Sequence, residues 1–227
     1  MMISITSNEG SRAFMKPEKP ILFVWDFHGV LEKDNELAVH EVTNRVLGEF
    51  GYEERASIDD IHNMYGLLWG EYFRLLVPGI EEEPVREMVR RCRELGRPAA
   101  RRHCKPRDHA LETLRKISEG GHVNFLVSNT AQDDLRFFMD IVGVTPFIDG
   151  AIGIGKKTTS KADIIEDHAA KKSYHKIVVI GDTEKDVEAG LTNGATTYLF
   201  DPKDNRRQTK AHHVITDLRR VLRELDT

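Results

Sequence analysis

The chain has 227 residues, 40% of them hydrophobic and 31% charged, enough to bury one core of ordinary size with an insertion, or two small domains. Lys and Arg total 33 against 37 for Asp and Glu, a formal charge of −4; no global basic field draws it to nucleic acid, and a small molecule is the expected partner. No apolar run reaches the roughly 18 residues needed to span a bilayer, and the opening stretch MMISITSNEGSRAFMKPEKP has no apolar signal core, which predicts a cytoplasmic protein without membrane contact and with a flexible arm over residues 1–19.

The first predicted element is a strand, ILFVW (21–25), a continuous apolar run of the kind buried on both faces of a parallel sheet. It leads directly into Asp26, Phe27, His28 and Gly29. The pattern then changes to helical periodicity in ELAVHEVTNRVLGEF (36–50), DDIHNMYGLLWGEYFRLL (59–76) and EPVREMVRRCREL (83–95), with breaks expected at Gly51, Pro78-Gly79 and Gly96-Arg97-Pro98. Residues 34–106 therefore read as a separate helical cap. Trp69, Tyr72 and Phe73, with Leu67, Leu68, Leu75 and Leu76, are expected to fill its core. Cys92 and Cys104 lack the paired spacing of a zinc site or disulfide framework and read as reduced, structural thiols. The basic run over residues 90–107 reads as a solvated helix face and hinge.

Strands and helices alternate from there on. Helices are predicted at 109–120, 131–143, 161–172 and 184–194, and strands at VNFLV (123–127), AIGI (151–154, weaker), KIVVI (176–180) and ATTYLF (195–200). DPKDNRRQTKAHH (201–213), with His212 and His213, is expected as a solvated loop before a final helix, ITDLRRVLREL. This cadence predicts an α/β fold: a Rossmann-like doubly wound parallel sheet core, residues 20–33 and 107–227, carrying a small α-helical cap domain at 34–106.

In open parallel sheets, ligands bind outside the carboxyl ends of the strands. The residues just past the apolar runs are Asp26; Ser128, Asn129 and Thr130; and Gly181 and Asp182, with Asp186 one helical turn on. Carboxylates converging there need a cation, and oxygen donors suit Mg²⁺. GAIGIGKKT (150–158) approaches a phosphate-binding P-loop, but Lys157 stands where the metal-binding hydroxyl belongs, and the segment falls late in the chain.

Four ordered motifs, DFHGVL, FLVSNT, SKADII and VVIGDTEKD, resemble those of the haloacid dehalogenase superfamily of phosphohydrolases, and the helical insertion stands where that family carries its cap. The resemblance implies Asp26 as nucleophile, Ser128 and Asn129 as phosphate donors, and Lys161 as the charge that neutralises phosphate and nucleophile. It implies a Mg²⁺ site made by Asp26, the His28 carbonyl, Asp182 and Asp186. Lys156 and Lys157 rival Lys161, which is preferred because it opens the helix before KIVVI. His28 departs from the pattern: phosphatases of the family usually carry an aspartate there, which protonates the leaving alcohol and later activates water, tasks an imidazole can also perform. Dehalogenases of the family lose the fourth-motif metal aspartate, whereas Asp182 and Asp186 both stand here. Relatives that cleave carbon–phosphorus bonds use a cap lysine, and the helical part of this cap is poor in lysine. The implied function is a Mg²⁺-dependent phosphatase for a small phosphorylated metabolite, acting through an aspartyl-phosphate, as a monomer or homodimer. The alternative is a phosphate-ligand-binding or regulatory protein weakened as an enzyme by His28.

Overall fold

The computed structural model describes residues 17–64, 67–155, 159–205 and 208–226. Residues 1–16 of the expected arm, and the rival lysines Lys156 and Lys157, lie outside them. In chain order the elements are β1 (Ile21–Trp25), β2 (Glu32–Lys33), α1 (Asn35–Glu49), α2 (Ile58–Asn63), α3 (Trp69–Leu76), α4 (Glu82–His103) and β3 (Lys105–Pro106). There follow α5 (Ala110–Glu119), β4 (Val123–Ser128), α6 (Gln132–Val142), β5 (Gly150–Gly153), α7 (Lys161–Ala169), β6 (Lys176–Gly181), α8 (Glu184–Thr192), β7 (Thr196–Phe200), β8 (His213–Ile215) and a 3₁₀ segment, Leu218–Asp226.

Six strands form one parallel sheet in the order β5-β4-β1-β6-β7-β8. Successive side chains of a strand face opposite sides, and β1 divides accordingly. Ile21, Phe23 and Trp25 enter a cluster with Leu114 and Ile117 of α5 and Leu135 and Met139 of α6. Leu22 and Val24 enter another with Ile164 and Ile165 of α7 and Ala189 of α8. Helices thus cover both faces, as a doubly wound fold requires.

The topology also sets the crevice. From β1 the chain reaches β4 and β5 on one side, then returns across the sheet to β6 and continues outward through β7 and β8 on the other. Such a reversal of winding leaves an opening at the carboxyl ends of the two adjoining strands, here β1 and β6. Asp26 follows the first and Asp182 the second.

A polar side chain, Asn124, is sealed inside the apolar face. Trp25 Nε1 donates to Asn124 Oδ1 at 2.9 Å, and Asn124 Nδ2 donates to the Leu114 carbonyl at 3.0 Å, with both residues wholly buried. Asn124→Leu leaves a buried indole N–H without an acceptor and strips the Leu114 carbonyl of its side-chain donor, so it is expected to cost roughly 2 to 3 kcal/mol of stability. Urea denaturation reads this directly, and a loss below about 0.5 kcal/mol would mean the site relaxes without it.

The inserted helices have a centre of their own. Val42, Val46 and Leu47 of α1, Phe73 of α3, and Val85, Met88 and Cys92 of α4 pack together. The chain leaves and re-enters the sheet unit side by side, where β2 and β3 pair antiparallel through Glu32 and Pro106 and through Lys33 and Lys105. Cys92 and Cys104 are both buried and unpaired.

Four details differ from the sequence expectation. The helix predicted over 59–76 is two helices, α2 and α3, the second begun by a capping interaction in which Leu68 N donates to Glu71 Oε2 at 2.6 Å. Tyr72 and Phe73 are core as expected, whereas Leu67, Leu68 and Leu75 stand exposed. The predicted break at Gly96-Arg97-Pro98 is absent: α4 runs 22 residues through Pro98. A proline forfeits one helical hydrogen bond at a cost of about 3 kcal/mol, but Cys92 before it and Ala99 and Ala100 after it are all buried, and burial on both sides of the proline carries the helix through. Finally, the stretch expected as loop and helix ends as β8 and a 3₁₀ segment. His213 lies in β8, and His212 Nδ1 accepts from Thr197 N at 3.1 Å, so neither is simply solvated.

Candidate active site

Asp26 N donates to the Ile180 carbonyl at 2.9 Å, extending the β1–β6 ladder one residue past the strand and fixing where the carboxylate leaves the sheet. β6 then delivers Asp182, and α8 delivers Asp186 from its first turn. Ligand oxygens of Asp26, Asp182 and Asp186 all lie within 4.8 Å of one another. Asp186 is set by local chemistry: its Oδ2 accepts from Thr183 N at 3.2 Å and from Thr183 Oγ1 at 2.6 Å, a capping box that starts α8.

Lys161 bridges the group. Its ammonium donates to Asp26 Oδ1 and Asp186 Oδ1, each at 2.5 Å, with the three side chains only 13%, 11% and 4% exposed. The lysine is the first residue of α7, where a cation opposes the helix dipole. The cost of that opposition is at most about 1 kcal/mol at an exposed site, and the two short contacts outweigh it. Lys161, the preferred candidate, is thus in contact with Asp26; its rivals Lys156 and Lys157 lie outside the described residues.

Protonation follows from burial. It raises the Asp26 carboxyl above its ordinary range; Lys161 opposes the rise, Asp186 reinforces it, and His28 adds a small opposing effect. For Asp182, burial first and then the Asp26 and Asp186 charges push the pKa up to about 7. Burial works to lower the Lys161 ammonium, yet the two aspartates hold it above the usual lysine range. Three carboxylates against one ammonium are short of positive charge, and an Asp182 driven to about 7 records that shortage.

A divalent cation fits this donor set: hard carboxylate oxygens, mutually close and under-neutralised. The loop above is built to come near it. Gly29 has φ +81°, and a Cβ there would stand 2.3 Å from Asp182 Oδ2, so only glycine lets the backbone after His28 pass over that carboxylate. Gly181 serves the same purpose below, where a Cβ would meet Asp186 Cβ at 2.1 Å.

The other predicted residues stand at or just past the carboxyl ends of β1 and β4. Ser128 ends β4, the neighbour of β1, and is 2% exposed; its Oγ donates to Thr130 Oγ1 at 3.2 Å and accepts from Thr130 N at 3.3 Å, within its own turn. Asn129 is exposed, with its carbonyl accepting from Gly155 N at 3.1 Å. The P-loop-like segment does not form a cradle at its start, because Gly150–Gly153 is β5, paired with β4. His28 projects to a different set of partners. Its Nδ1 bonds Glu32 Oε2 at 2.8 Å, and its ring meets Phe27 and Phe138 edge to face at 5.0 and 4.8 Å.

Glu32 was missed by motif reading, as was Arg107, whose Nη2 donates to the carbonyls of Gly29 at 3.1 Å and Glu32 at 3.3 Å. The available signal was an acid four residues after His28 that breaks an apolar run; Arg107 lies 75 residues from Glu32 and gives no local sign.

Residues 23–200 match the family model for haloacid dehalogenase-like hydrolases. No curated protein matches the sequence. Among solved structures, the chain is similar to a haloacid dehalogenase-like family hydrolase from Streptococcus pneumoniae, at 15% identity and TM-score 0.72, with 90% of this chain and 98% of that chain covered. It is also similar to a subfamily IA hydrolase of the superfamily from Geobacter sulfurreducens (13%, TM-score 0.72, 91% and 96%). A third is a predicted phosphoglycolate phosphatase from Haemophilus somnus (13%, TM-score 0.75, 89% and 96%). These likenesses share the fold, and the family match spans most of the sheet unit and the inserted helices together with the carboxylates at the switch point: the chain belongs to the haloacid dehalogenase-like hydrolases.

Proposed function

We propose that the protein is a Mg²⁺-dependent phosphatase that hydrolyses a small phosphorylated metabolite through an aspartyl-phosphate on Asp26. The observation that carries this reading is the buried cluster in which Lys161 touches both Asp26 and Asp186 at 2.5 Å beside Asp182.

In this reading an Asp26 oxygen attacks phosphorus while the bond from phosphorus to the ester oxygen breaks. His28 gives the departing alcohol its proton, then takes one from the water that cleaves the aspartyl-phosphate, returning Asp26 and releasing inorganic phosphate. Lys161 offsets the charge of nucleophile and phosphoryl group, and Ser128 and Asn129 donate to the phosphoryl oxygens. Mg²⁺ held by Asp26, Asp182, Asp186 and the His28 carbonyl would cancel the repulsion between two anionic reactants. A cap made of α1 to α4 that closes over the crevice and excludes water leaves room only for a small substrate.

Phosphate release from a panel of small phosphomonoesters, in Mg²⁺ and then in excess chelator, tests the reading. Turnover in Mg²⁺ and its loss with chelator are expected; no turnover of any ester sinks it. A second reading, a phosphate-binding or regulatory protein with little turnover, is favoured by His28 in place of the family's aspartate. His28→Asp separates the two: a gain in rate supports the weakened protein, and a loss supports histidine at work.

A further inference from the structure

We propose that Glu32 is a positioning residue for His28: its carboxylate fixes the imidazole in one orientation and in the Nδ1–H tautomer, leaving Nε2 as the nitrogen that serves the reaction. The inference rests on the phosphatase reading and concerns a residue outside the four motifs.

Glu32 is a carboxylate 1% exposed, which is rare unless the charge is fully engaged. Each oxygen has a donor. Oε2 meets His28 Nδ1 at 2.8 Å, and Oε1 accepts from Asn35 N, at the start of α1, at 2.8 Å. The Glu32 backbone is held as firmly: its N–H donates to the Phe27 carbonyl at 3.2 Å, and its carbonyl accepts from Arg107 Nη2, which also holds Gly29. Glu32 is thus held at three points, one on its carboxylate and two on its backbone, besides its contact with the imidazole.

The tautomer follows from what each group can do. An ionised carboxylate only accepts hydrogen bonds, so the nitrogen facing it must carry the proton. Nδ1–H therefore points to Glu32, and the second nitrogen is left to exchange protons. Phe27 and Phe138, edge to face on the ring at interplanar angles of 81° and 84°, hold its plane. A carboxylate that orients an imidazole from behind is a general device for fixing tautomer and ring direction. It also gives a reason for a histidine at position 28: the larger side chain is usable because a buried acid four residues on aims it.

A purely structural alternative is that Glu32 serves only to begin α1 through Asn35. Glu32→Gln keeps the volume and an acceptor oxygen for Asn35 while removing the charge that dictates the tautomer. Using p-nitrophenyl phosphate with Mg²⁺, kcat of Glu32→Gln is expected to fall between about 10- and 100-fold, with KM within about threefold and the urea midpoint little changed. In a His28→Ala background the same substitution is expected to change kcat by less than about threefold, because there is no ring left to aim. Independently of turnover, ¹⁵N NMR at pH 9 is expected to show His28 protonated on Nδ1 in the unsubstituted protein, and a changed tautomer ratio in Glu32→Gln. Equal losses in both backgrounds, or an Nε2–H tautomer at the start, overturn the proposal. An Nδ1–H tautomer in a protein that hydrolyses no ester instead overturns the phosphatase reading and leaves the orienting contact standing.

Discussion

Asp26→Asn is expected to lower phosphate release by at least about 10⁴-fold, since removing a covalent nucleophile removes the reaction path and not just one stabilising contact. Asparagine nearly matches aspartate in shape, so the β1–β6 extension through Asp26 N and the Ile180 carbonyl survives. Loss of fold is not the expected cause. The Asp26 carboxyl is raised by burial, with Lys161 opposing and Asp186 reinforcing, so its charged form is disfavoured in the folded metal-free protein, and a neutral isostere at pH 8 should leave the urea midpoint equal or higher. Turnover that persists in Asp26→Asn removes Asp26 from the nucleophile's role. A drop in activity matched by a drop in stability would instead assign it to the scaffold.

Asp182→Asn is expected to abolish the effect of Mg²⁺ and to stabilise the metal-free protein, and the second effect depends on pH in a defined direction. The Asp182 pKa is about 7 in the fold against 3.8 for an ordinary aspartate, with burial the largest cause and the Asp26 and Asp186 charges next. A carboxyl whose folded pKa is raised binds more protons folded than unfolded. Stability of the metal-free protein therefore falls as pH rises from about 4 to about 7, and the penalty is complete above that. It amounts to roughly 4 kcal/mol at pH 8. The Asn variant should show little of this decline, and the two proteins should converge below about pH 4. Proton and metal compete for the same carboxylate, so the apparent Mg²⁺ affinity of the unsubstituted protein should weaken about tenfold for each pH unit below 7. Urea melts across pH, with calorimetric Mg²⁺ titrations at pH 6 and 8, give both readings. A Mg²⁺ affinity that does not change with pH would remove Asp182 from the metal site.

Both expectations rest on residues that local pattern exposes. A run such as ILFVW is strand because β-branched and aromatic side chains suit a surface buried on both faces, and the residue that ends it must leave the sheet. Asp26, Ser128 and Asp182 were visible for that reason. Lys161 was visible as the opening of a helix, and its contact with Asp26 and Asp186 became definite only in three dimensions. Pro98 shows where local signals mislead: the proline argues for a break, yet Cys92 before it and Ala99 and Ala100 after it are buried and keep α4 continuous. The end of the chain shows the same in reverse. His213–Ile215 is a short, half-polar segment with no strand signature of its own, and it becomes β8 because β7 offers an open parallel edge.

The amino-acid order by itself determined the strand runs, the alternation of strands and helices in the sheet unit, the helical insertion, and the acids at the strand ends, because each is written in the spacing of neighbours along the chain. Tertiary structure decided what those acids become. The reversal of winding between β1 and β6 brings Asp26 and Asp182 together; glycine backbone at position 29 passes over Asp182; and Lys161 reaches across 135 positions to Asp26. Glu32 and Arg107 were decided there too, since a side chain's partner 75 residues away is set by how the two chain crossings pair at β2 and β3 and not by any local preference.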